Sequence, residues 1–160
     1  MRSARGLSEK RRGLRPAGYP VLCLAMLLVS PPAAAQSWRA SGTTAGYYVD
    51  GVANGMFLRC AGSSLTVNFT GFPARFADGA AYRVGVSVDG LARILDTRAH
   101  RVRGRTVLVH AGALGELRGL IEDLRKGKAA EISTPAGRYT LPLTGSGSAL
   151  GALIAACTPQ

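Results

Sequence analysis

Short runs in which apolar and polar residues alternate extend along most of the chain, and turn pairs separate them. The clearest run places Tyr82, Val84, Val86 and Val88 on one face and is followed by the turn pair Asp89-Gly90. A period of two residues is typical of a half-buried β-strand. Similar short runs predict further strands at 56–60, 65–70, 91–95, 106–110, 129–133 and 139–143.

Two segments instead have a period of 3.6 residues, which is typical of an amphipathic helix. Gly127 is a natural residue at the end of the first, and Ser146 or Ser148 can cap the start of the second. The apolar stripe of the first segment consists of Leu114, Leu117, Leu120, Ile121 and Leu124. The stripe of the second consists of Leu150, Leu153, Ile154 and Cys157.

These elements together predict a β-rich α+β fold. We expect an antiparallel β-sandwich-like sheet of six to eight short strands, with one inserted helix and one C-terminal helix. The segment 36–44 is polar and rich in Gly, Ser and Thr, and we expect it to be loose.

Residues 1–35 have the three-part pattern of a secretory signal peptide. A basic segment reaches residue 18, an apolar run spans 21–29, and Ala33-Ala34-Ala35 offers a cleavage site before Gln36. An uncleaved membrane anchor is the alternative, but a span needs about 20 apolar residues. Arg11-Arg12 leaves open whether Sec or twin-arginine export is used. The predicted organisation is a signal peptide at 1–35 and a single globular secreted domain at 36–160.

Cysteine usage predicts one covalent link. Cys23 is removed with the signal peptide, which leaves Cys60 and Cys157 in the domain. Two cysteines in an oxidising compartment predict a disulfide. A buried stripe position for Cys157 places it toward the sheet that would carry Cys60. Two free buried thiols are the alternative.

The layout of the domain resembles the invasion-associated locus B family and the related small periplasmic proteins found near type VI secretion systems. The resemblance covers most of 45–157 and rests on four features: the strand ending at Cys60, the segment 86–90, the segment 121–128, and the segment 139–150 closing on Cys157. It implies an envelope-associated β-sandwich-like domain with a cysteine pair and no catalytic residues.

No residue pattern predicts catalysis, a metal site or a cofactor. His100 and His110 are the only histidines, and no nucleophile motif such as GxSxG accompanies them. The two histidines and the paired cysteines leave no transition-metal ligand set. The glycine-rich segment 145–151 is interpreted as a turn feeding a capped helix rather than a dinucleotide site. A small secreted hydrolase or hydrolase inhibitor remains the alternative function.

Charge gives the main functional hypothesis. The chain has 20 Lys and Arg against 9 Asp and Glu; six of these cations and one acid lie in 1–35, which leaves +6 in the domain. Basic residues are concentrated between 93 and 105, where Asp96 is the only acid. We expect this segment to connect two strands, with Arg101, Arg103 and Arg105 on one face if it is extended. The candidate anion-binding residues are Arg98, Arg101, Arg103 and Arg105.

The predicted function is an exported periplasmic or secreted, non-enzymatic binding or accessory module of the bacterial cell envelope. Its partner would be a protein or an anionic envelope component such as lipopolysaccharide, teichoic acid or an acidic glycan. Nucleic acid is not expected, because no aromatic residues are interleaved with the arginines. A stable membrane span is not expected after signal cleavage. The alternative for the arginine segment is a solvated loop.

Signal cleavage can be tested by mass. Protein purified from the envelope fraction of an expressing bacterium should begin at or near Gln36, because the cleavage site precedes it. Intact-mass spectrometry measures this directly. A mass that retains residues 1–35 would contradict the prediction.

Overall fold

The computed structural model describes residues 36–157, so the predicted signal peptide lies outside the described residues. This part of the chain contains nine strands and two helices. The strands are β1 (Gln36–Ser41), β2 (Thr44–Val49), β3 (Val52–Ala61), β4 (Ser64–Thr70), β5 (Ala81–Val88), β6 (Leu91–Val102), β7 (Arg105–Ala113), β8 (Ala129–Thr134) and β9 (Gly137–Pro142). The helices are α1 (Arg118–Lys126) and α2 (Ser146–Cys157).

All nine strands form one antiparallel sheet in the order β1-β2-β3-β4-β7-β6-β5-β8-β9. The β-rich α+β class, the antiparallel pairing and the two helices are therefore confirmed. The sandwich-like arrangement is not: the structure has a single curled sheet, a half-barrel, and more strands than the six to eight expected.

Two strands, β1 and β2, lie outside the predicted runs, and β1 forms in the polar segment that we expected to be loose. Six residue pairs join β1 to β2, from Gln36 with Val49 to Ser41 with Thr44. Trp38 is the buried residue of this strand, and its ring lies 6.3 Å from that of Tyr47. One large aromatic side chain thus fixes a segment whose other residues carry no strand signal.

Side-chain hydrogen bonds connect β9, at one edge of the sheet, to β1 at the other edge and to the nearby strand β3. The Trp38 Nε1–H of β1 donates to the carbonyl oxygen of Pro142 in β9 at 2.7 Å. The hydroxyl of Tyr139 in β9 donates to the carbonyl oxygen of Gly55 in β3 at 2.9 Å. These two bonds hold the curl of the sheet while leaving its edges unpaired.

Both helices contribute buried side chains to the hydrophobic core that the strands line. From α1 the residues Leu120, Ile121 and Leu124 are buried, as the 3.6-residue pattern predicts. α2 packs against β1, β2 and β3 and also against α1. The buried residues of α2 are Ser146, Ala149, Leu150, Leu153 and Cys157, whereas Ile154 is only partly buried.

Two residues next to the helices have roles that differ from the predicted ones. Ser146 is fully buried, and its hydroxyl lies 2.6 Å from the carbonyl oxygens of both Leu124 and Leu143. It therefore ties the start of α2 to the end of α1. Gly127 has an ordinary φ of −72°, but a Cβ there would collide with Val88. Close packing, rather than a left-handed helix end, requires this glycine.

Cys60 of β3 and Cys157 of α2 form a disulfide, with their Cα atoms 5.8 Å apart. This is the pair that the sequence predicts. Both cysteines are buried, and the bond links positions 97 residues apart.

Among residues 36–157, neither helix is long and apolar enough to span a membrane.

Removal of the disulfide should lower stability strongly. A loop of about 100 residues corresponds to about 4–5 kcal/mol in the chain-entropy model. We expect the double variant Cys60→Ala, Cys157→Ala and the reduced parent to unfold at similar, much lower urea concentrations than the oxidised parent. Urea denaturation followed by circular dichroism measures this. Equal midpoints for the oxidised parent and the double variant would contradict it.

Candidate functional site

The arginine-rich segment is a β-hairpin rather than a connecting loop. Strand β6 continues through Val102, and Arg103-Gly104 forms a two-residue turn into β7. Both turn residues have positive φ, 49° and 78°, as the favoured two-residue hairpin turn requires. The expectation that this segment is a connection between two strands is therefore wrong for all but the two turn residues. The strand pairing continues because β6 and β7 bury Ala99 and Leu108 opposite each other.

The hairpin also changes how the arginines are grouped. Arg101 lies opposite Thr106, and Val102 lies opposite Arg105. Opposed residues project to the same face, and successive residues alternate. Arg101 and Arg105 therefore project to opposite faces, which corrects the shared face expected for an extended segment. We call the four exposed residues of this hairpin end the arginine tip: Arg98, Arg101, Arg103 and Arg105.

The acid expected to oppose these arginines is used elsewhere. Asp96 forms a salt bridge with Arg83 of the neighbouring strand at 3.2 Å. Arg93, at the base of the same hairpin, donates from Nε and Nη2 to Asp123 Oδ2 of α1 at 2.9 and 2.7 Å. Sequence reasoning missed the Arg93–Asp123 pair because the two residues are 30 positions apart.

None of the four tip arginines takes part in a salt bridge within residues 36–157. Arg98 donates from Nη1 to the carbonyl oxygen of Gly79 at 3.2 Å, which leaves its charge unneutralised. The nearest acid contact is made by the backbone, where the N–H of Arg101 donates to Asp78 Oδ1 at 2.9 Å. The guanidinium groups of the tip therefore have no carboxylate partner within residues 36–157, and Asp78 contacts the tip only through the backbone of Arg101.

Other carboxylates of the domain are occupied by backbone N–H groups or by helix cations. Asp89 accepts from the N–H groups of Lys128 and Ala129, and Glu116 accepts from Ala113. Hydrogen bonds from Lys126 and Arg125 lower the pKa of Glu122, on the exposed face of α1. The carboxylates of Asp89, Glu116 and Glu122 are thus engaged by groups other than the tip arginines.

A cleft of about 690 Å³ lies beside the arginine tip. We call it the rim groove. Three segments form its walls: 49–54 around the β2–β3 turn, 70–75 after β4, and 104–106 at the start of β7. Arg105 of the tip lies in one wall, and Arg75 lies in the segment after β4. Sequence reasoning missed Arg75, because it is isolated in sequence and reaches the groove only through the fold.

A second cleft of about 460 Å³ shares several wall residues with the rim groove, among them Asn54, Thr70 and Phe72. It runs toward β9 and is lined there by Arg138, Tyr139 and Thr140. The side chain of Arg138 forms a salt bridge with Glu131 at 3.5 Å. The second cleft is thus less cationic than the rim groove.

The surroundings of the two histidines do not point to a catalytic role. His100 is exposed on β6 opposite Val107. His110 Nδ1 lies 2.7 Å from the backbone oxygen of Asp96, so its hydrogen-bond partner is a carbonyl rather than a carboxylate. Within the described residues, no group of three or more His, Cys, Asp or Glu side chains could hold a metal ion.

Comparison with known proteins gives a distant resemblance. No protein-family model matches the sequence, and no curated protein matches it. Among solved structures, the chain matches the crystal structure of invasion associated protein b from Bartonella henselae, with 16% sequence identity and a TM-score of 0.39. The match covers 74% of this chain and 96% of that chain. A likeness of this size supports no inference about activity, and the resemblance to type VI secretion proteins stays a prediction.

Tyr139 makes the curl of the sheet sensitive to alkaline pH. Burial raises the pKa of its phenol above the ordinary value of 10.0. The folded state therefore keeps the proton while the unfolded state releases it above about pH 10. The stability that the neutral phenol contributes should be present below pH 10 and should decrease as the pH rises above it.

We expect the variant Tyr139→Phe to lose about 1 kcal/mol at pH 8, because it lacks the bond to Gly55. It should also lose less stability than the parent between pH 9 and pH 11. Urea unfolding across this pH range measures both effects. Parallel pH dependence in the two proteins would show that Tyr139 is not the responsible group.

Proposed function

We propose that the protein is an exported, non-enzymatic binding module of the bacterial cell envelope that binds an anionic envelope component through the arginine tip. The observation that carries the proposal is the group of four exposed arginines without a salt-bridge partner among residues 36–157. Guanidinium groups bind phosphate and carboxylate with charge-assisted hydrogen bonds, in a fork geometry that lysine lacks.

The way the other charges are distributed supports this proposal. Five basic side chains of the described domain form salt bridges: Arg83, Arg93, Arg125, Lys126 and Arg138. The other nine basic residues of 36–157 form no salt bridge within this part of the chain, and four of these nine lie at the end of one hairpin, where an anionic partner would meet several guanidinium groups together.

Two further features support the exported location. The predicted signal peptide directs the domain out of the cytoplasm, and the Cys60–Cys157 disulfide suits an oxidising compartment. The hydrolase alternative gains no support from the histidines, because the hydrogen bond of His110 goes to a backbone carbonyl.

The proposal is tested with purified lipopolysaccharide as the probe. The triple variant Arg101→Gln, Arg103→Gln, Arg105→Gln should bind at least about tenfold more weakly than the parent, since each lost charge-assisted bond costs affinity. The affinity of the parent should fall steeply with added salt, because exposed charges are screened beyond about 8–10 Å. The free energy of unfolding of the triple variant should differ from that of the parent by less than about 0.5 kcal/mol.

A matched control variant distinguishes the loss of the tip arginines from the general loss of positive charge. The triple variant Arg39→Gln, Arg59→Gln, Arg118→Gln removes the same charge from exposed residues without salt bridges elsewhere on the domain. It should bind lipopolysaccharide nearly as well as the parent. Equal loss in both triple variants would mean that only net charge matters. Unchanged lipopolysaccharide affinity in both triple variants would contradict the proposal.

A further inference from the structure

The arginines beside the hairpin end present two different shapes to a partner. Arg103 occupies the exposed turn at the end of the hairpin. Arg105 and Arg75 instead line the concave rim groove. A flat lipid surface can contact the exposed turn, but only a narrow chain can enter a groove walled by three segments of the protein.

The charges of the groove favour an anionic chain. Arg75 is exposed and has no hydrogen bond or ion pair with any described residue. Arg105 likewise has no salt bridge among residues 36–157. Asp50 is the one carboxylate in the lining, so the two arginines leave a net positive charge. Both arginines can therefore donate in full to an oxyanion.

The uncharged lining suits a hydrophilic chain better than a lipid tail. Asn54, Thr70 and Thr106 contribute amide and hydroxyl groups, and Phe72 and Pro73 contribute apolar surface. The Thr106 hydroxyl oxygen accepts from the N–H of Phe76 at 3.4 Å, so its own O–H remains available to donate. Sugar rings combine hydroxyl groups with apolar C–H faces and match both kinds of surface.

From these observations we infer that the rim groove binds a single chain of an anionic glycan, whose phosphate or carboxylate substituents are held by Arg75 and Arg105. This inference rests on the proposed function and names its site and ligand class. The volume of the cleft sets the size of the ligand, since about 690 Å³ corresponds to a glycan of several rings rather than to one isolated anion.

The decisive experiment fills the groove without changing any charge. Val52 lines the groove, is 54% exposed and follows the turn Asp50-Gly51. Leu91 is also 54% exposed and follows the equivalent turn Asp89-Gly90, but it lies outside the groove. Val52→Trp and Leu91→Trp therefore form a pair that is matched in exposure, turn context and introduced side chain, and aromatic residues are well tolerated in strands.

The probe is a heparin hexasaccharide, with binding measured by isothermal titration calorimetry. We expect Val52→Trp to bind at least about tenfold more weakly than the parent, and Leu91→Trp to bind within about twofold of it. Circular dichroism checks the fold of both variants. Equal affinity of the two tryptophan variants overturns the groove inference, while the proposed function still stands if the arginine-tip triple variant binds lipopolysaccharide weakly.

A second variant keeps the inference testable if Val52→Trp does not fold. Arg75→Gln should weaken hexasaccharide binding about tenfold, whereas Arg39→Gln, the same change on a distant strand, should have little effect. Vesicles containing phosphatidylglycerol and free inorganic phosphate complete the test. A parent that prefers the vesicles to the hexasaccharide, or whose hexasaccharide binding is abolished by phosphate at equal anion concentration, overturns the inference.

Discussion

The inner face of a strongly curled sheet must be covered by residues from outside the sheet, and α2 supplies much of that cover here. Its buried residues Leu150 and Leu153 pack into the core that the strands line, and the Cys60–Cys157 bond fixes its end to β3. Burial of apolar surface stabilises the arrangement, and the covalent link restricts the unfolded chain. The curl in turn brings β1 and β9 close enough for Trp38 to reach Pro142.

Local patterns were sufficient to predict most of the elements. The alternation at β5 and the stripes of both helices identified the buried residues, because burial on one face imposes the period of the element. The disulfide was also accessible, since a stripe position fixes the direction of Cys157. The single nine-stranded sheet was not accessible, because side-chain contacts such as Tyr139 with Gly55 close the curl over 84 residues of sequence separation.

Only part of the candidate site could be predicted from the sequence. The density of arginine between 93 and 105 identified the segment as a candidate site, but its hairpin structure and the faces and partners of its arginines depended on the fold. Arg93 is neutralised by a helix that follows later in the chain, and Arg75 reaches the groove from an unrelated segment. A charge count along the sequence cannot separate paired from unpaired cations, because pairing is decided by residues that are distant in sequence.

The residue choice at Arg103 relates the stability of the hairpin turn to the charge that the turn exposes. Three hairpins share the same two-residue turn with positive φ at both positions; two of them use Asp-Gly, whereas this one uses Arg-Gly. A left-handed conformation costs a long side chain about 1–2 kcal/mol, and Asn or Asp less. The chain therefore forgoes a more favourable turn residue at the turn where it exposes Arg103. Arg103→Asn would be expected to stabilise the fold while removing one charge from the tip, so that selection for stable variants alone would reduce the charge of the proposed binding surface.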